Sequence, residues 1–189
     1  MEFLTGDWES DLYILYCYID CLDFYVGTES RTMNNLKDKT KESGRMLYGS
    51  TWKRYLKKDE NGNKVFRPPD PNNPKFGLTK VKYQHPILEH VFKEFSDLYF
   101  PDFVYDSVQL TKNFQIDRHI DSKNVGESIL VALGDYVGGE TVIEYENEVI
   151  EVDCRYNPLR FNGSKYYHWV KPFIGGDRYS IVFFNLYKK

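Results

Sequence analysis

From Phe103 onward the chain is cut into apolar runs of three to eight residues, and that pattern limits the fold more than any other feature. The runs are Phe103 to Leu110, Ser128 to Leu133, Thr141 to Tyr145, Val149 to Val152, Leu159 to Phe161, Tyr166 to Val170 and Tyr179 to Leu186. They are too short for helices, and turn chemistry separates them: Gly138-Gly139 reverses the chain, and Glu146-Asn147 closes a hairpin. In the last run Arg178, Ser180, Val182 and Phe184 share one face, while Tyr179, Ile181 and Phe183 share the other. Ahead of these runs stands one clear helix, Pro86 to Phe100. Ile87, Leu88, Val91, Phe92, Phe95, Leu98 and Tyr99 recur at three- and four-residue steps, and Pro101 ends it. About seven short strands behind one amphipathic helix imply a mostly β fold with supporting helices (α+β). The expected architecture is a double-stranded β-helix, or jelly roll, with the helix laid on one sheet.

The first hundred residues are less regular. Residues 11–26 are rich in Tyr, Ile, Leu and Cys without a clean 3.6-residue period, so they read as one or two buried strands, with a short helix as the alternative. Residues 27–82 turn polar and basic. A helix is expected around Asn35 to Lys41, Asn61-Gly62 signals a hairpin, and Pro68, Pro69, Pro71 and Pro74 exclude a regular helix in their stretch. Residues 1–189 therefore read as a single domain, with a basic elaboration at about 28–82 and a core at about 103–187.

Charge sharpens that division. Residues 31–82 hold fourteen basic residues against five acids, inside a chain whose formal net charge is -3. Such a segment is either solvated surface or a place for an anionic partner. Within it Trp52 and Tyr55 interleave with Lys53 and Arg54. Cys17, Cys21 and Cys154 form no paired spacing, and the acidic start MEFLTGDWES does not look like a secretory signal. No apolar run is long enough to span a bilayer, so a soluble, intracellular protein without membrane contact is expected, cytoplasmic or nuclear.

Chemistry concentrates in DRHIDSKN, residues 117–124. His119 and Asp121 are two apart on what reads as the end of a strand, so their side chains point the same way and can grip one metal ion. His168, in KYYHWVKP, supplies a third ligand if strand ends meet at one mouth. Two imidazoles and one carboxylate on one face of a metal leave positions open, as in the facial triad of non-heme Fe(II) oxygenases. A lone His-x-Asp carries little information. The ordered set of His119-x-Asp121, GGET, His168 and Arg178-x-Ser180 carries much more.

With those residues in view, positions 108–186, somewhat under half of the chain, resemble the catalytic core of the Fe(II)/2-oxoglutarate-dependent dioxygenases. They are most similar to the TET/JBP (ten-eleven translocation and J-binding protein) branch. The likeness rests on KNFQIDRHIDSKNVGES, LGDYVGGETVI and FNGSKYYHWVKPFIGGDRYSIVFF. It implies that His119, Asp121 and His168 are the catalytic metal ligands for Fe(II). It implies that Arg178 holds the far carboxylate of 2-oxoglutarate with Ser180 as helper, and that O2 is consumed. A buried carboxylate needs such a partner, and a guanidinium offers a planar two-pronged one. Asn113 and Asn124 are candidates for hydrogen-bonding the co-substrate or the substrate, although Asn124 is equally suited to a turn before Val125-Gly126. His85 and His90 read as structural, and Asn162-Gly163-Ser164 as a turn.

For the substrate the resemblance implies a methyl group on a pyrimidine, with DNA or RNA as partner; Trp52, Lys53, Arg54 and Tyr55 of the basic segment, which lies outside the likeness, are candidates for its phosphate contacts and stacking surface. A prolyl-type protein hydroxylase is an alternative, although those enzymes usually carry Lys where this chain has Arg178. A small-molecule oxygenase is the third reading.

Overall fold

The computed structural model describes residues 2–24 and 43–186. Its elements run α1 (Trp8–Asp20), β1 (Gly44–Trp52), β2 (Tyr55–Lys58), β3 (Lys64–Phe66), β4 (Pro69–Asp70), β5 (Asn73–Leu78), α2 (Lys80–Gln84) and α3 (Ile87–Tyr99). They continue with β6 (Ser107–Lys112), β7 (Ser128–Leu133), β8 (Tyr136–Gly138), β9 (Thr141–Glu144), β10 (Val149–Val152), β11 (Leu159–Phe161), β12 (Tyr167–Val170), β13 (Phe173–Gly175) and β14 (Tyr179–Phe184). The chain is thus mostly β sheet with a few helices. The helix expected at Asn35 to Lys41 lies outside the described residues.

Residues 11–26 correct the strand expectation, because the described part folds as α1. Asp7 caps the helix by accepting the Ser10 N–H at 2.9 Å. Leu12, Leu15 and Ile19, spaced three and four apart, are the side chains it buries. The period was masked because Tyr13, Tyr16 and Tyr18 on the remaining faces are scarcely less apolar than the buried stripe. Asp11 fixes the helix start. It is fully buried and accepts the Thr5 N–H at 2.6 Å, the Gly6 N–H at 3.0 Å and the Tyr99 hydroxyl at 2.5 Å.

Strand order in the large sheet is β11-β7-β14-β6-β1-β5-β4, with every neighbouring pair antiparallel. Its strands β1, β4 and β5 come from the basic stretch. Period-two alternation gives the sheet two unlike faces. On one face Val108, Leu110, Ile129, Val131, Leu133, Ile181 and Phe183 pack against Leu12, Leu15 and Ile19 of α1 and Leu88, Val91, Phe92 and Phe95 of α3. Each of those α3 side chains is fully buried and contributes roughly 1.5–3 kcal/mol by leaving water. The other face, through Leu130 and Ala132 of β7, meets Ile143 of β9 in the three-stranded sheet β10-β9-β12. The shorter pairs are β13 with β8 and β2 with β3. The β2–β3 pair is the hairpin that Asn61-Gly62 signalled, its turn tied by Asp59 to the N–H groups of Asn61 and Asn63. Among the described residues no helix is long and apolar enough to cross a membrane.

Candidate metal centre and anion pocket

His119 does not sit in a regular strand. It makes an isolated bridge to His168 on β12, each donating its backbone N–H to the other's carbonyl at 3.0 Å. Two residues on, Asp121 donates its N–H to the Gly163 carbonyl at 2.9 Å and begins a turn that the Asn124 N–H closes on the Asp121 carbonyl at 2.9 Å. These backbone bonds carry three side chains to one place. Nε2 of His119 lies 3.5 Å from one Asp121 oxygen and Nε2 of His168 lies 3.6 Å from the other. One donor atom from each residue falls within a 4.8 Å span.

The remaining ring nitrogens face carbonyl oxygens: Nδ1 of His119 is 2.7 Å from that of Asp117, and Nδ1 of His168 is 3.1 Å from that of Tyr166. An Nδ1–H donated there turns Nε2 toward Asp121, where it can give a proton to the carboxylate or, once deprotonated, a lone pair to a metal. Burial alone would raise the Asp121 carboxyl, but the imidazoles of His119 and His168 outweigh it and hold the group below the usual carboxylate range. For His119 burial works downward and is outweighed by Asp121, with the Asp117 carbonyl adding to the upward shift. Two imidazoles clasping one ionised carboxylate form a donor set that fits a divalent metal.

The same cavity, of about 390 Å³, is lined by His119, Asp121, His168, Arg178 and Ser180. Arg178 is 1 % exposed, yet its Nε and Nη2 have no hydrogen-bond partner among the described residues. Its guanidinium carbon sits 5.4 Å from the Tyr136 ring centroid and 5.7 Å from that of Phe173. Burial pushes its pKa down, with Tyr136 acting against that shift. A charged group buried with unmet donors is costly unless an acceptor is delivered to it. Ser180 Oγ and Thr111 Oγ1 lie 2.5 Å apart beneath the cavity.

The other candidates separate. Asn124 lines the cavity and donates its side-chain amide to Asp121 at 3.3 Å. Trp52 and Arg54 also line it, whereas Lys53 and Tyr55 do not. Tyr55 instead packs against Phe66 across the β2–β3 hairpin, ring centroids 4.2 Å apart. Asn113 is fully buried behind the site: its side-chain oxygen accepts the Arg178 N–H at 2.9 Å and its amide donates to Asp177 at 2.7 Å. It positions the backbone of Arg178. His90 stacks on Phe3 and His85 caps α2, so neither joins the cavity.

Two glycines that read as turn devices also belong to the site. A Cβ on Gly163 would meet His168 Cε1 at 3.2 Å and Asp121 Oδ2 at 3.3 Å. One on Gly139 would meet Arg178 Nε at 3.0 Å, and Gly139 adopts φ +75 besides. Thr111 could have been found from its period-two relation to Gln109 on a strand facing the cavity. For Gly139 and Gly163 the sequence signals a turn and not the close approach, since Arg178 and Asp121 come from about forty positions away.

No protein-family model matches the chain, and no curated protein matches it. Solved structures do. One is an oxidoreductase of the 2OG-Fe(II) oxygenase family from Burkholderia pseudomallei, 15% identical over 92% of this chain and 76% of that one, with a TM-score of 0.53. Another is NgTET1 in complex with 5mC DNA, 16% identical over 78% of this chain and 62% of that one, TM-score 0.47. A third is a Pseudomonas putida prolyl-4-hydroxylase, 14% identical over 98% and 90%, TM-score 0.43. At such identity the first likeness shows a shared fold, that of a 2OG-Fe(II) oxygenase.

Proposed function

We propose that this chain is an Fe(II)- and 2-oxoglutarate-dependent dioxygenase that hydroxylates a C–H bond. The observation that carries the reading is a His-Asp-His donor set sharing one cavity with a buried guanidinium whose Nε and Nη2 lack partners among the described residues. In this reading the large sheet and the three-stranded sheet are the halves of a double-stranded β-helix, and residues 1–189 form one catalytic unit, core 103–187, with Leu47, Thr51, Trp52 and Arg54 of the basic elaboration at the cavity.

His119, Asp121 and His168 would hold the iron, which supplies O2 activation coupled to oxidative decarboxylation of 2-oxoglutarate to succinate. Arg178 takes the far carboxylate of the keto-acid. Its unmet Nε and Nη2 then find acceptors, and the Ser180 hydroxyl, already paired with Thr111, donates to the same group. The Asp117 and Tyr166 carbonyls keep both imidazoles in one tautomer, so the face offered to the metal does not wander. Ile116, Ile120, Leu130 and Val182 wall the cavity with apolar surface and limit water at the reacting centre. Arg54 and Lys123 are further cations of the lining, and Asp121 is its one acid among the described residues. That balance favours an anionic substrate, and with Trp52 beside it we read the substrate as nucleic acid, the reacting group as a pyrimidine methyl.

The test is succinate release from 2-oxoglutarate with Fe(II), measured alone and with panels of methylated oligonucleotides, peptides and nucleosides. Release that depends on iron and rises with methylated oligonucleotides is expected. No iron-dependent release under any condition defeats the oxygenase assignment, and stimulation by peptides alone replaces the substrate class.

A further inference from the structure

The β2–β3 hairpin leaves the sheets right after the cavity residues Trp52 and Arg54 and returns to them at β4. Every residue of β2 is exposed, and in β3 only Val65 is partly covered. A protruding two-stranded ribbon has little reason to keep its shape for the sake of a core. Its composition is lopsided: residues 53–67 hold Lys53, Arg54, Lys57, Lys58, Lys64 and Arg67 against Asp59 and Glu60. Both acids lie at the tip, where Asp59 is spent on the turn. None of the six cations makes a salt bridge among the described residues.

Two like-charge pairings stand out. Lys58 is directly opposite Lys64 in the ladder, an arrangement that weakens a hairpin left to itself. Arg67, whose Nε is buried with no hydrogen-bond partner among the described residues, is disfavoured as a cation first by that burial and then by the repulsion of Arg54. The repulsion between Lys58 and Lys64 is relieved if an anion lies along the ribbon. On the face shared by Lys58 and Lys64, Tyr55 and Phe66 pair across the strands, each 51% exposed, and Lys64 Nζ sits 4.8 Å over the Tyr55 ring. Exposed flat rings between cations suit unpaired bases and their phosphates together. Duplex DNA would offer the phosphates and keep its base faces stacked.

We propose that the β2–β3 ribbon is a binding arm for single-stranded nucleic acid, laying phosphates along Lys58 and Lys64 and stacking bases on Tyr55 and Phe66 of the same face. It deepens the functional reading, since the arm starts at the mouth of the cavity and would present an unstacked base to it.

Fluorescence anisotropy with a mixed-sequence single-stranded dodecamer, the matching duplex, and polyglutamate of equal charge tests it, without iron or 2-oxoglutarate. The single strand should bind severalfold tighter than the duplex and polyglutamate more weakly than either. With two phosphates engaged, the slope of log K on log salt should be about -1.4. Lys58→Glu/Lys64→Glu should weaken both nucleic acids at least tenfold and flatten that slope. Tyr55→Leu/Phe66→Leu, which keeps an apolar cross-strand pair and removes the flat faces, should weaken only the single strand; a melting temperature near that of the unsubstituted protein shows that the variants fold. Equal or tighter duplex binding, equal capture of polyglutamate, or an unchanged single-strand affinity in the Leu/Leu variant overturns the proposal. Because these measurements need no turnover, their failure leaves the oxygenase reading standing, and failed succinate release leaves the arm standing.

Discussion

The two faces of the large sheet are made by the same strands and do opposite work. Toward α1 and α3 the face is dry and interlocked: Val108, Val131, Ile181 and Phe183 are fully buried among aromatic and aliphatic neighbours. Toward the cavity the same strands offer Gln109, Thr111, Ser180 and Arg178, polar groups that a folding chain gains nothing by burying. Alternation every second residue lets stability accumulate on one side while the other is free to be costly.

The sharpest test of that contrast compares one substitution from each face. His119→Ala or Asp121→Ala should abolish 2-oxoglutarate turnover, a loss of at least a thousandfold, with the melting temperature shifted by only a few degrees. A variant with near-normal succinate release would break the assignment of the cavity face. Arg178→Met comes next. It should raise the 2-oxoglutarate concentration needed for half-maximal turnover about a hundredfold while iron still binds by calorimetry. Because the guanidinium is buried without hydrogen-bond partners for Nε and Nη2, the same variant should melt no lower than the parent. A large drop in melting temperature would mean that Arg178 serves the fold.

On the helix face the sign reverses. Phe95→Ala should cost about 3–5 kcal/mol in denaturant unfolding, since a fully buried ring leaves a cavity among Trp8, Tyr99, Phe100 and Phe183. Any protein that survives should keep its 2-oxoglutarate requirement. The smallest effect sharpens the comparison through pH. Asp11, where α1 meets α3, has its pKa lowered: burial pushes it up, but the Thr5 N–H, the Tyr99 hydroxyl and the other donors outweigh that. A lowered folded pKa means that this carboxylate stabilises the protein fully above about 3.9, the ordinary value, and that the contribution fades as pH falls through the folded value. Asp11→Asn should therefore cost about 1–3 kcal/mol at neutral pH and narrow the gap to the parent in acid, read as melting temperature from pH 7 down to 3. A gap independent of pH would exclude the carboxylate's charge as the cause.

How much of this was legible beforehand depends on how local its cause is. The strands β7, β10 and β11 begin and end where alternation and turn residues place them, and β9, β12 and β14 differ by one or two residues at an end. The helix α3 was equally plain, because its apolar stripe contrasts with Glu89, Lys93, Glu94 and Asp97. By contrast α1 has tyrosines around most of its surface, and only its docking on the large sheet beside α3 decides which stripe is inside. The strand expected from Phe103 begins at Ser107, since Phe103 is used by a turn that donates its N–H to the Phe100 carbonyl. Short β8 and β13 were unread because each ends in a glycine, Gly138 and Gly175, that reads as a turn. In the site, the i, i+2 spacing of His119 and Asp121 announced itself, while Gly163 and Gly139 answer to atoms more than forty and about forty positions away or, for His168, across a turn. Asn113 was legible as important and misleading as to why, since its amide serves the Arg178 backbone.

The reciprocal backbone bonds between His119 and His168 have one more consequence. Both imidazoles hang from a single rung, and Asp121 is tied one step along through Gly163. Fraying there releases all three donors together. Under the proposed iron role, that coupling would disfavour a half-built centre able to hold a redox-active ion loosely and expose it to oxygen, and the ladder itself would act as the safeguard against damaging side chemistry.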